Sequence, residues 1–191
     1  MLLFPGSANI AAVDELIVVT GPPGAGKTTV ARVLAGMFER SALVPGDSFF
    51  GFIERGYLLP WTSEAHGQNE VVISAAAAAA GRLAGGGYTV VYDGVLGPWL
   101  VDDFGRAAGV TRLHYAVLLP PEQVCVDRVQ SRVGHGFDDL EAARHMYTEF
   151  AHAGIDGRYV VTRSDEAGAL AVHLQQLVQS GSIMRAIEPR R

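Results

Sequence analysis

The stretch "ELIVVTGPPGAGKTTVARVLAGMFER", Glu15 to Arg40, decides the fold. Its opening, "ELIVVT", is a continuous apolar run, the pattern of a strand buried on both faces of a parallel sheet. Gly21 ends the run, and "GPPGAGKT" from Gly21 to Thr28 satisfies G-x-x-x-x-G-K-[ST] in full. Gly24 and Gly26 let the chain wrap tightly with its N–H groups pointing inward, an anion nest at a helix N-terminus. After the loop, Val30, Val33, Leu34, Met37 and Phe38 recur at helical spacing. Strand, loop and helix in that order are the context in which this motif is a phosphate site.

That reading assigns ligands. Lys27 is placed to bridge the β- and γ-phosphates of ATP, and Thr28 to ligate Mg²⁺. Gly21, Pro22, Pro23, Gly24, Ala25, Gly26, Lys27, Thr28 and Thr29 are the expected nucleotide contacts. The loop by itself does not separate a kinase from a GTPase or a motor.

The surrounding composition narrows the classes. At 191 residues the chain fits one domain, 1–191, and is short for two. With 49% hydrophobic and 18% charged residues, and apolar runs broken by Gly, Pro and charge, it reads as globular, with no membrane association expected. A net charge of -5 gives no bias toward nucleic acid. The single cysteine, Cys125, excludes an internal disulfide and fits a reducing cytoplasm. "MLLFPGSANIAAVDE" reads as a leader arm without a basic n-region. "SIMRAIEPRR" reads as a frayed tail or a weak contact with another copy, so monomer or homodimer is expected.

Further strands are predicted in "SALVPGD", "YTVVYDG", "LHYAVLLPP" and "GRYVVTRS". Helices are predicted over 69–87, where an alanine tract lets a helix lie close to the sheet, and over about 121–132, 138–152 and 166–179. Alternation of this kind predicts an α/β three-layer P-loop NTPase fold: a mostly parallel five-stranded sheet with helices on both faces. Ligands of such sheets gather beyond the carboxyl ends of the strands.

Two aspartates follow strand ends. Asp47 in "PGDSFF" is a candidate general base for an attacking hydroxyl, and an Asx turn or helix N-cap is the alternative. Asp93 in "YDG" is a candidate Mg²⁺ group acting through water, a contact to the acceptor, or a turn residue. Downstream of Asp47, a segment at about 47–70 is dense in aromatics with polar groups interleaved, a mixture suited to a partly apolar hydroxylated molecule. Phe50, Arg55 and Trp61 are its candidate substrate contacts; Arg55 suits a carboxylate or phosphate, or else pairs with Glu54 or Glu64.

Taken together, the phosphate loop, Asp47 and Asp93-Gly94 resemble those of small P-loop kinases related to adenylate, shikimate and gluconate kinases, a group that includes chloramphenicol phosphotransferase. The resemblance implies ATP-dependent transfer to a small-molecule hydroxyl, with the aspartate after the second strand beside the acceptor. It also implies a short lid over about 128–144, in which Arg128 and Arg132 lie four apart on one helical face, one stacking on adenine and the next reaching phosphate. Where nucleoside monophosphate kinases continue Asp-Gly with Phe-Pro-Arg, this chain has "DGVLGPW", which argues against a nucleotide acceptor. Sugar acids, shikimate-like acids and hydroxylated antibiotics are the candidate acceptors. A regulatory NTPase without an acceptor and a toxin-like nucleotide-sugar kinase are the competing readings.

Overall fold

A computed structural model describes residues 15–131 and 139–189. Strand β1 (Leu16–Thr20) is followed by helix α1 (Lys27–Ala35), β2 (Ser41–Pro45), α2 (His66–Ala84), β3 (Thr89–Asp93), α3 (Val101–Ala108) and β4 (Arg112–Leu118). Then come α4 (Glu122–Ser131), α5 (Leu140–His152), β5 (Val160–Val161), α6 (Ala167–Gln179) and β6 (Met184–Ala186). A 3-10 turn over Gly46–Phe52 links β2 to the segment leading into α2.

The sheet order is β2-β3-β1-β4-β5, all parallel, and β6 adds to β4 in antiparallel sense. Every residue of β1 is buried, as its unbroken apolar run requires of the central strand. The β1-to-β2 connection runs opposite to the later ones, so right-handed crossovers put α1 on one face and α2 and α3 on the other. Packing agrees: α1 lies on α6, and α2 on α3. This is the mostly parallel α/β sandwich predicted from the alternating pattern.

The alanine tract has a packing reason. Ala76, Ala77, Ala80 and Ala84 are buried, and a Cβ on Gly81 would lie 1.9 Å from the Ala108 carbonyl oxygen, so α2 and α3 touch nearly backbone to backbone. Helix α3 was not anticipated. It is short, with Gly105 inside it, and the Ile187 side chain fills the place that a Cβ on Gly105 would take.

The tail is also not frayed. Residues 184–186 pair with 112–114, Arg185 meets Asp102 at 3.0 Å, and Arg106 donates to the Glu188 carbonyl at 2.6 Å. The segment therefore straps α3 to the sheet edge. Of the leader arm, Glu15 alone lies among the described residues. Among the described residues no helix is long and apolar enough to cross a membrane.

Candidate active site

The phosphate loop connects β1 to α1 and is held by its glycines. Gly21, Gly24 and Gly26 have φ of 140, 80 and 93°, which disfavour any side chain. Space forbids one as well: a Cβ on Gly21 would lie 2.2 Å from the Leu118 carbonyl oxygen, and one on Gly24 2.1 Å from that of Cys125. The loop thus sits directly on the end of β4 and on α4. Within it, Ala25 N donates to Pro22 O at 3.2 Å and the buried Lys27 ammonium donates to the same oxygen at 3.0 Å. Gly26 caps α1 without any side-chain bond, and no acidic residue stands in the first turn, so the turn's N–H groups and dipole favour an anion. Thr28 and Thr29 are exposed there, Pro22 is buried and Pro23 half-buried.

Arg128 reaches this loop from α4. Its guanidinium donates to Gly24 O at 3.3 Å and to Ala25 O at 3.4 Å, and it is half-buried. Arg132 lies outside the described residues, as does the middle of the proposed lid. The exposed Arg144 pairs with the half-buried Glu122 at 3.4 Å, which ties α5 to α4.

Strand register brings the two aspartates together. Asp93 stands beside Val19 of β1 and Pro45 of β2, so the ends of three strands meet where the phosphate loop begins and Asp47 follows. Asp93 is buried, and burial raises its pKa above the ordinary carboxylate value; the Thr28 hydroxyl and the charges of Lys27 and Arg32 offset part of the rise, while Asp47 adds to it. One carboxylate oxygen, Oδ1, has no hydrogen-bond partner among the described residues. An orphaned buried oxygen in the field of the phosphate-loop lysine and threonine fits a cation held through water, with Thr28 as the direct ligand. No cluster of three or more His, Cys, Asp or Glu suited to a metal occurs among the described residues. Phosphate oxygens and water would complete the shell.

Asp47 is exposed in the first turn of the 3-10 segment, whose N-cap is Pro45, so Asp47 does not serve as its cap. Beneath it is a residue that sequence reasoning missed. The buried Tyr92 lays its ring on Phe104, with centroids 4.6 Å apart, and its hydroxyl lies where a Cβ on Gly46 (2.3 Å) or Gly94 (2.7 Å) would go. The mirrored "Gly-Asp" and "Asp-Gly" pairs therefore bracket one phenol, whose pKa is pushed up by burial and by both aspartates. The mirror was the signal available in the sequence.

The candidate acceptor segment is pinned to α2. The Gln68 side chain accepts from Leu58 N (2.7 Å) and donates to Leu58 O (2.8 Å), and Asn69 donates to Pro60 O (2.7 Å). Phe50 and Trp61 are half-buried and Arg55 is exposed; among the described residues Arg55 pairs with neither Glu54 nor Glu64. Thr20, the last residue of β1, carries a tie that its place in an apolar run does not signal. Its buried hydroxyl accepts from Leu96 N (2.7 Å) and donates to Leu96 O (3.1 Å), fastening the loop after β3 to the residue before Gly21.

The glycine-rich loop on a parallel sheet of this order defines a P-loop NTPase domain. The AAA domain family matches residues 17–144, and the chain belongs to that family. No curated protein matches it in sequence. Among solved structures, a sugar kinase from Janibacter sp. HTCC2649 is similar with a TM-score of 0.62 at 19% identity, covering 86% of this chain and 94% of that one. The Deinococcus radiodurans tunicamycin resistance protein gives 0.61 at 17% identity over 92% and 99%. Shikimate kinase from Acinetobacter baumannii, solved with shikimate, gives 0.54 at 22% identity over 87% and 94%. At these identities the likeness is one of fold, and it is the small P-loop kinase fold that the motifs resemble.

Proposed function

We propose that this chain is an ATP-dependent phosphotransferase that moves the γ-phosphate to a hydroxyl of a small molecule in the cytoplasm. The observation that carries the reading is the meeting of the phosphate loop with Asp93 and Asp47 at adjoining strand ends. An exposed carboxylate there can take a proton from an attacking hydroxyl, and the aromatic segment that follows it at about 47–70 gives the carrier of that hydroxyl a place to bind. The kinase folds among the structural neighbours add support at the level of architecture.

In this reading Lys27 and the N–H groups of the loop hold the phosphates, and Thr28 with Asp93 holds Mg²⁺, which supplies charge neutralisation on the phosphate oxygens. The acceptor oxygen attacks phosphorus in line, the bond from phosphorus to the bridging oxygen breaks, and ADP leaves. Asp47 takes the acceptor's proton. Arg128, and Arg132 in the lid segment, neutralise charge on the transferring group, and Phe50, Arg55 and Trp61 contact the acceptor.

The test is a screen of hydroxylated metabolites and antibiotics for ATP-dependent phosphorylation, with Lys27→Ala and Asp47→Asn beside the native chain. Asp47→Asn is expected to lower kcat by about 10²–10⁴-fold with the KM for ATP little changed. Full transfer by Asp47→Asn removes the base assignment. Absence of any stimulating acceptor favours the regulatory NTPase instead.

A further inference from the structure

The loop that leaves Asp93 carries an aromatic group that the phosphotransferase reading has not used. Trp99 is 51% exposed, yet its indole is held from two sides. It folds back over Gly97, where a Cβ would lie 2.3 Å from a ring atom, so that glycine is required by the ring. On the other side stands the buried Phe150 of α5, with centroids 5.9 Å apart and planes at 51°. An indole fixed in this way can receive a flat partner without first losing rotamer freedom.

The ring borders a shallow hollow of about 490 Å³, lined by Pro98, Trp99, Glu149, His152 and Ala153. One wall is the loop after β3 and the other is α5, the helix that follows the lid segment. The first wall cannot drift from the phosphate site, because Leu96 is bonded to Thr20 on both its N–H and its carbonyl, and Tyr115 donates to that carbonyl at 2.8 Å.

The polar rim is specific in sign. Glu149 contributes a carboxylate, in an exposed contact with His145 at 3.7 Å. His152 Nδ1 lies 2.9 Å from the Thr148 carbonyl, so Nδ1 carries the hydrogen of that contact and Nε2 is left for another partner. No lysine or arginine is among these lining residues. Such a rim accepts hydrogen bonds from hydroxyl or ammonium groups and repels a carboxylate.

We propose that this hollow is a stacking subsite for a ring-shaped part of the acceptor that is uncharged or cationic and bears hydroxyl or amine groups. The proposal rests on the phosphotransferase reading and ranks its acceptors: neutral or aminated ring alcohols stand above sugar acids and shikimate-like acids. An indole face attracts the C–H face of a sugar, an aromatic ring or a nearby cation.

Fluorine NMR of the full chain labelled with fluorotryptophan tests it, with the Trp99 resonance assigned by Trp99→Phe and the probes methyl β-glucoside, glucosamine, D-gluconate and shikimate. The Trp99 resonance is expected to move saturably with the glucoside or glucosamine, and at least about tenfold more weakly with the two acids. Glu149→Gln, at an exposed position, should weaken glucosamine more than the glucoside. Trp99→Leu should raise the KM of the acceptor found by the phosphorylation screen while acceptor-free ATP hydrolysis is kept. The idea is overturned if neither neutral nor aminated probe moves Trp99, if the acids bind as tightly, or if Trp99→Leu leaves that KM unchanged. Binding at Trp99 without any phosphorylation keeps the subsite and removes the kinase reading.

Discussion

Asp93 is a carboxylate that the fold holds at a cost. Its folded pKa is raised above the ordinary value, so the folded state binds the proton more readily than the unfolded chain does. The sign follows: below the ordinary value of 3.8 the group costs nothing, and as pH rises through its folded pKa the ionised form penalises the fold. Asp93→Asn should therefore raise the melting temperature of the nucleotide-free protein at neutral pH and leave it unchanged at acid pH. The same variant should weaken the Mg²⁺ dependence of nucleotide binding by about 10–100-fold, the usual loss for a group acting through an outer shell. Calorimetry with and without Mg²⁺ measures both effects, and a lower melting temperature at neutral pH would show Asp93 to be a purely structural partner of Thr28. Lys27 and Thr28 were legible because the phosphate loop imposes local backbone demands that only its own residues meet. Tyr92 was not, since its role depends on Gly46, brought to it by the neighbouring strand β2, as well as on Gly94, two residues on and just past its own strand.

Among the elements, α2 and α3 show what a pattern conveys and what it hides. The alanine tract announced close packing, but its partner was unread, because α3 is eight residues long, follows Gly97-Pro98 and contains Gly105. Short amphipathic helices of this kind owe their stability to tertiary contacts rather than to propensity. Gly81 is the point of contact. Gly81→Ala ordinarily gains helix propensity, about 1 kcal/mol in an exposed helix. Here the new Cβ meets the Ala108 backbone at 1.9 Å, and backbone cannot rotate aside. The net change should be a destabilisation of about 1–3 kcal/mol, measured by urea unfolding against Gly85→Ala, where the nearest atom is 3.4 Å away. A neutral or stabilising Gly81→Ala would mean that α3 is free to shift. Strand β6 was hidden for a related reason: three residues with a central Arg185 carry no alternation, and only the exposed edge of β4 makes them a strand.

At the scale of the molecule, the parallel sheet followed from alternating apolar runs, while the sixth strand and the strap it forms did not. That strap closes over a buried titratable group, His114 of β4, which pairs with Ile17 on one side and Met184 on the other. Neither ring nitrogen has a hydrogen-bond partner among the described residues, and Glu15 Oε1 stands 3.8 Å from Nε2. Burial, with help from the Arg112 charge, lowers the His114 pKa to about 4 from its ordinary 6.5. Glu15 is itself pushed upward by burial, so the pair is better held neutral than as an ion pair. The unfolded chain takes up a proton on His114 as pH falls through 6.5, whereas the fold resists until about 4, so stability is lost across that window. The loss should approach about 3 kcal/mol by the bottom of the window, since each pKa unit corresponds to ~1.4 kcal/mol. Uptake of a proton by Glu15 in the fold works against it near the acid end. Urea unfolding at several pH values should show a slope in the native chain that His114→Leu flattens while leaving the neutral-pH stability equal or higher, because the substitution also removes two unpaired buried nitrogens. An unchanged slope in His114→Leu would move the acid sensitivity of the whole fold to other groups, and would imply that the β4–β6 edge opens enough to hydrate the ring.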